Sequence, residues 1–585
     1  MAAYQCRESK GLKRSTSRVH LGFGILQCLL VCTSFVLAGS SAAATESKGP
    51  ARSLFRHTNV IPMDRDVVLE DKDVLVEGDR IVAVLPGGTG RADKGTLIID
   101  GRHRFLLPGL IDFHAHPEED DLPLYLANGV TTIAALDGEL LDWKRAGVST
   151  AGSPQILPST HILEGAAGAY YGVARPEHAA DIVEHEAQQG AAMVKTYSDM
   201  TLPEFRALAS AAHQQGLPFV GHVPMRVPAE TVLKSGLDLI VHSEELTRYL
   251  SWQSSKADLQ SLSTMIAANG VAVIPTLAVI ENIESHALHL HDVLQRDAIK
   301  YVHSGYYQGW LPRRNSYFNR KDKAGFVAST RGQFELQKSI VRELKAAGVL
   351  LLFGTDAPIT CVSGLCIHEE FRILSEIGLS NYDALRTATF NAGVFSLTRT
   401  RNANTGFGVI APHARADLIL LEQNPLKDLT ALKMIDGVMA AGVWKKAGDL
   451  NAARDTVLAD RVRQHKIADQ YERLFSAGDI GKLLKFLEDT PKSAGPLLAE
   501  WVVLEDALAL AAADKVSDGI LLLEHSAPHL RNTFRLRNAL GNLKLQNNDF
   551  RGAEAEFKQS LTLAPLNAMA MSGLAKLSNG ANAKD

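Results

Sequence analysis

Between Phe105 and about Leu397, short apolar runs rich in β-branched residues alternate with longer stretches of helical character. The runs are 105–113, Val130–Leu136, Gln155–Leu163, Ala192–Thr196, Pro218–Gly221, Leu237–Val241, Val271–Thr276 and Val349–Gly354. They are apolar at nearly every position, as strands buried on both faces must be. Eight such runs alternating with helices predict an α/β fold, a (β/α)8 barrel over 108–399. The rhythm changes on either side. Residues 57–107 read as short strands separated by Asp, Gly and Lys turns, among them Val74–Val76, Ile81–Val84 and Leu97–Ile99. β character returns at Gly408–Ile410, Ala416–Leu421 and Val438–Val443. Together 45–107 and 400–450 are expected to form one small, discontinuous β-sandwich domain.

From 451 to 585 the chain is helical in pattern and rich in Ala and Leu. Leu540-Gly541, Ala553, Phe557 and Pro565 fit the spacing of a 34-residue tetratricopeptide repeat, with Arg537 at its tryptophan position. A weaker match runs from Trp501 to Pro528. One repeat cannot bury its own face, so this helical, repeat-like domain is expected to stack on the barrel, on a second copy or on a protein partner.

The first 44 residues follow another pattern. Basic residues (Arg7, Lys10, Lys13, Arg14, Arg18) precede an apolar run from Leu21 to Leu37 and then small residues up to Ala44. That order predicts a secretory signal peptide over 1–44, hence a periplasmic or secreted protein, with membrane attachment only if the segment stays uncleaved. Cys361 and Cys366, the two cysteines beyond it, are candidates for a local disulfide or for two free thiols. A net charge of −4 gives no electrostatic case for nucleic acid.

Candidate chemistry sits where the apolar runs end. His114 and His116 follow the first run; residues i and i+2 of an extended chain point the same way, so this pair can share a cation. Lys195 ends the fourth run, His222 the fifth, His242 the sixth and Asp356 the eighth. Barrel enzymes keep their active sites at this end of the strands. Tyr197 and His161 lie at neighbouring strand ends and are candidate substrate contacts.

These residues carry a resemblance. Pro-Gly-Leu-Ile-Asp-Phe-His-Ala-His (108–116), Lys195, Gly-His-Val-Pro (221–224), Val-His-Ser-Glu (241–244), Gly-Thr-Asp-Ala-Pro (354–358) and Ala-Asp-Leu-Ile-Leu-Leu (416–421) resemble the amidohydrolase superfamily, most closely its imidazolonepropionase-like and Xaa-Pro dipeptidase-like branch. The resemblance spans about 57–445 and leaves the helical tail outside. It implies two divalent metal ions, typically zinc: one on His114, His116 and Asp356, the other on His222 and His242. Lys195 would bridge them as a carbamate formed with CO2, since a plain ammonium has no lone pair to donate. It further implies hydrolysis of an amide bond by a metal-bound hydroxide, with Asp356 as general base and acid, on a dipeptide or N-acyl amino acid. A cyclic-amide hydrolase or a deaminase is the alternative within the same chemistry, and Lys195 argues against the deaminase. A non-catalytic interaction protein is the remote alternative. His161 opens His-Ile-Leu-Glu-Gly-Ala-Ala-Gly-Ala-Tyr-Tyr, where many relatives have a Gly-Gly-His-Gly-like run, a departure that bears against the usual carboxylate-binding arrangement and with it against a dipeptidase assignment.

Overall fold

The computed structural model describes residues 52–138, 153–165, 171–173, 175–225, 227–251, 253–399, 406–491 and 497–582. The expected signal peptide lies outside them.

The first apolar run is two strands, not one. β5 (Phe105–Pro108) belongs to the small β unit and β6 (Leu110–Ala115) to the barrel. Gly109 between them is where the chain crosses over: a Cβ there would stand 2.0 Å from the hydroxyl of Thr131. The small unit combines β1 (Arg52–Val60), β2 (Leu69–Glu77), β3 (Arg80–Pro86), β4 (Leu97–Asp100) and β5 with three strands from beyond the barrel. These are β15 (Leu418–Leu421), β16 (Ile435–Ala440) and β17 (Val443–Lys446). β5 pairs antiparallel with β15, Leu107 opposite Ile419. Hydrogen bonding joins all eight into one sheet, where the sequence pattern suggested a sandwich.

The remaining strands form two parallel sheets. β6, β7 (Val130–Ala135) and β8 (Gln155–Pro158) make the first. β11 (Val194–Thr196), β12 (Phe219–Gly221), β13 (Leu239–Val241) and β14 (Ala272–Ile274) run on from the short strands β9 (Leu163–Gly165) and β10 (Tyr171–Val173) in the second. The ladders do not close into one continuous barrel among the described residues. The sheets meet through single parallel bridges, Ser159 with Met193, Val273 with Leu351 and Ala115 with Ala357. The expected eighth strand is thus the stretch around Leu351–Ala357, which runs between β14 and β6 without a regular ladder; the Phe113 amide donates to the Phe353 carbonyl at 2.8 Å. This is a barrel-type arrangement with interrupted hydrogen bonding. Ile111, Phe113, Val220, Leu239, Ile274 and Leu352 share one buried cluster enclosed by the strands, while Val194, Phe219 and Ile240 pack outward. Those two faces account for the nearly continuous apolar runs.

From Ala447 onward the described chain is helical. The helix Ala447–Ser476 binds the barrel through Arg461, which is fully buried. Its guanidinium pairs with Asp120 and with Asp121, just after the His114/His116 strand end. Arg531 reaches the same loop and pairs with Glu118.

Candidate active site

Six strand-end side chains, His114, His116, Lys195, His222, His242 and Asp356, line one cavity of about 630 Å3. Two features of the backbone aim them. The parity of β11 and β12 carries Lys195 and His222 inward with Met193 and Val220. His242, Thr276 and Asp356 have φ of +73°, +50° and +55°, so the chain turns sharply as it leaves these strand ends. Non-glycine residues seldom adopt this conformation, and functional sites are where such strain concentrates.

Each histidine is oriented from behind, with one exception. His116 Nδ1 lies 3.0 Å from Asp137 Oδ2, and His222 Nδ1 lies 3.0 Å from Glu245 Oε1. His242 Nδ1 is 2.6 Å from Thr276 Oγ1, whose own proton goes to the Pro275 carbonyl at 2.8 Å. In the neutral rings of His222 and His242 an acceptor behind Nδ1 places the proton there and leaves the Nε2 lone pair for the cavity, the tautomer a metal requires, whereas His116 also holds a carboxylate oxygen of Asp356 at Nε2. His114 Nδ1, buried, has no hydrogen-bond partner among the described residues. Glu245 is held in turn by the Val223 amide at 2.9 Å and by Arg248. Asp112, fully buried, accepts from Thr355 Oγ1 at 2.6 Å and from the His114 amide at 3.2 Å, which ties the two chain segments carrying His114 and Asp356 together.

The electrostatics divide the ring of histidines. Burial pushes His114, His222 and His242 well below the ordinary imidazole range, so they are neutral. Burial acts on His116 too, but its bonds to Asp137 and Asp356 outweigh it and raise the pKa to about 10. Asp356 is held below the usual carboxylate range: burial would raise it, and His242, His116 and Lys195 overcome that. The Nε2 atoms of His114 and His116 stand 3.1 and 3.0 Å from the same oxygen, Asp356 Oδ1. Burial brings the Lys195 amine down to about 8 against the pull of Asp356, Glu245 and Asp137. Lys195 is 1% exposed, and its Nζ has no hydrogen-bond partner among the described residues.

This donor set fits a metal centre. His114, His242 and Asp356 present ligand atoms within 4.8 Å of one another. Three neutral imidazoles, an ionised carboxylate and an unpartnered buried amine suit divalent cations bound by N and O. The expected division, His222 with His242 against His114 with His116, is not marked by spacing: the His242 ring lies 4.7 Å from His114 and 4.9 Å from His222.

Of the two candidate substrate contacts, Tyr197 lines the cavity, its ring 4.3 Å from His222. His161 does not. Its Nδ1 bonds Glu186 at 2.8 Å and its ring packs on Tyr171 and Phe534, while the adjacent Ile162 faces the cavity. Glu186 is buried one helix away and draws the imidazole outward, which strand position alone could not reveal. Arg314 and Arg331 are spent on ion pairs, the first with Glu472 and Asp506, the second with Glu284. Cys361 and Cys366 are disulfide-bonded. Asp112, Asp137, Glu245 and Thr276 were not among the expected site residues. Two had a visible signal: Asp112 lies inside the 108–116 stretch, and Glu245 follows Val-His-Ser-Glu directly.

Residues 162–445 match the amidohydrolase family model. Across the chain, a 5-methylthioadenosine/S-adenosylhomocysteine deaminase of Carboxydothermus hydrogenoformans is 24% identical over 405 residues, covering 63% of this chain and 84% of that protein. Among solved structures, a bottromycin amidohydrolase aligns with a TM-score of 0.56 at 22% identity, over 70% of this chain and 91% of the other. A Xaa-Pro dipeptidase with methionine bound in its active site aligns at 0.52 and 20%, over 68% and 100%. The family match thus covers just under half of the chain, the likeness to solved structures bears on a barrel-type fold, and the helical region after 445 lies outside the family match.

Proposed function

We propose that this protein is a metal-dependent hydrolase that cleaves an amide C–N bond in a small molecule. The observation that carries the reading is the convergence of His114, His116, Lys195, His222, His242 and Asp356 on one cavity, with a buried, unpartnered amine among oriented imidazoles. The four histidines and Asp356 would hold two divalent cations, zinc being the first candidate, and Lys195 as a carbamate would lie between them. Such cations, when bound, supply Lewis acidity toward the carbonyl and toward water. The protein's own groups do the rest. Asp356 takes the proton of the attacking water and returns it to the leaving amine. Tyr197 donates to the carbonyl oxygen as charge develops. Asp137, Glu245 and Thr276 keep His116, His222 and His242 aimed.

The substrates we propose are dipeptides, including Xaa-Pro, and N-acyl amino acids. A deaminase reading draws on the names of sequence relatives; the buried Lys195 favours the two-metal hydrolase. Export is part of the proposal, supported by the N-terminal pattern and by the Cys361–Cys366 bond. Metal analysis of purified protein, combined with hydrolysis of Xaa-Pro dipeptides, other dipeptides, N-acyl amino acids, cyclic amides and adenosine derivatives, tests the reading. Two metals per chain and release of an amine from an open-chain amide are expected. Less than one metal per active chain overturns the two-metal site, and ammonia release from an adenosine alone overturns the amide substrate.

A further inference from the structure

The cavity is not made by the barrel alone. Leu498, Glu500, Trp501, Arg531 and Arg535 of the helical region line it together with the histidines. Trp501 is the telling one. It is a large indole left 40% exposed, and it lies on the wall of a cavity. Its ring rests on Gly309, where a Cβ would stand 2.5 Å from the indole, so the helix Ser304–Trp310 is cleared to seat it. The next residue, Trp310, donates its Nε1–H to the Ile359 carbonyl at 2.9 Å. Ile359 follows Asp356 by three residues, lines the same cavity and is 37% exposed. One helix thus meets the backbone of Ile359 and the indole of Trp501, and each of these residues brings an exposed apolar side chain to the cavity. Exposed apolar surface inside a cavity is what a hydrophobic ligand group covers.

We propose that Trp501 and Ile359 form an apolar subsite that binds an aromatic or bulky aliphatic group of the substrate, making the helical region a specificity element of the site. The position of this group relative to the scissile amide rests on the hydrolase reading; the apolar subsite itself does not. Trp501 acts by packing on the substrate and takes no part in proton transfer.

Titration calorimetry on the full-length, metal-loaded protein tests this with three probes. Acetohydroxamate and 3-phenylpropanohydroxamate share a metal-seeking head and differ in the apolar part; 3-phenylpropanamide lacks the chelating head. The phenyl compound should bind about tenfold to a hundredfold more tightly than acetohydroxamate. Trp501→Ala should bring that ratio near one, with acetohydroxamate affinity and metal content unchanged, and Trp501→Phe should keep most of it. Gly309→Val, which displaces the indole without deleting it, should mimic Trp501→Ala. A ratio near one in the unaltered protein, or a ratio preserved in Trp501→Ala, overturns the subsite. If no metal loads and acetohydroxamate fails, 3-phenylpropanamide still decides: binding that is lost in Trp501→Ala upholds the subsite while the metal reading falls, and equal behaviour of the two proteins overturns the subsite.

Discussion

The floor of the cavity and its outer wall are built in opposite ways. The floor is a ring of strand ends carrying polar side chains, three of them oriented by a short hydrogen bond: Asp137 behind His116, Glu245 behind His222, Thr276 behind His242. The wall is a set of contacts between segments far apart in the chain, in which Trp501 lies on Gly309 and Arg531 pairs with Glu118. Strand ends in a barrel all point the same way, so a reactive centre built there has few ways to be misassembled. The wall depends on docking a region outside the family match, so it can change without disturbing the chemistry below it. On the proposed reading, that separates what the site does from what it admits.

Changes to the floor should abolish turnover while leaving the fold in place. Asp356→Asn removes the proposed proton carrier, and kcat should fall by on the order of a thousandfold or more. Initial rates beside a thermal melt check this; near-normal rates would move the chemistry away from the floor. Changes to the docking of the wall should act on stability instead. Arg461→Met leaves Asp121, itself 1% exposed, without its cation, and loss of one partner of a buried ion pair costs about 3–5 kcal/mol. Urea unfolding of the variant measures the cost, and an unchanged midpoint would mean that the helical region is held mainly by other contacts.

Smaller effects sharpen the contrast within the floor. Glu245→Gln keeps the shape behind His222 but weakens the pull on its Nδ1 proton, and metal affinity should fall about tenfold to a hundredfold, read by competition with a chelator. Glu370 supports the floor more remotely, accepting from the Ala278 amide at 2.8 Å at the start of the helix that follows Thr276. Burial raises its pKa from 4.5 to about 8. The folded state therefore holds a proton that the unfolded chain has released. Its contribution is full below about pH 4.5 and is lost as pH rises toward 8. Glu370→Gln should flatten this slope, giving a gain of a few degrees in Tm at pH 8 that vanishes near pH 5. An identical pH dependence in both proteins would assign the titration to other groups.

Much of the floor was legible because its signals are local. An apolar run followed by His, Lys or Asp reads directly as a strand end, and Lys195, His222 and His242 were placed by that pattern. The limits were equally physical. The 105–113 run conceals a crossover at Gly109 that only the proximity of Thr131 requires. The Val349–Gly354 run is apolar enough for a strand but makes a single isolated bridge, Leu351 with Val273. His161 has the position of a substrate contact, yet Glu186, 25 residues later, draws its imidazole away from the cavity.

By itself the sequence determined the alternating architecture, the two-part β unit and the identity of the polar side chains at the strand ends, because strand burial and side-chain parity depend on near neighbours. Only the tertiary structure decided that the helical region forms part of the cavity, that Trp501 meets Gly309, and that Asp137 stands behind His116. Those contacts join segments far apart in the chain, and no local periodicity encodes which distant surfaces will bury one another.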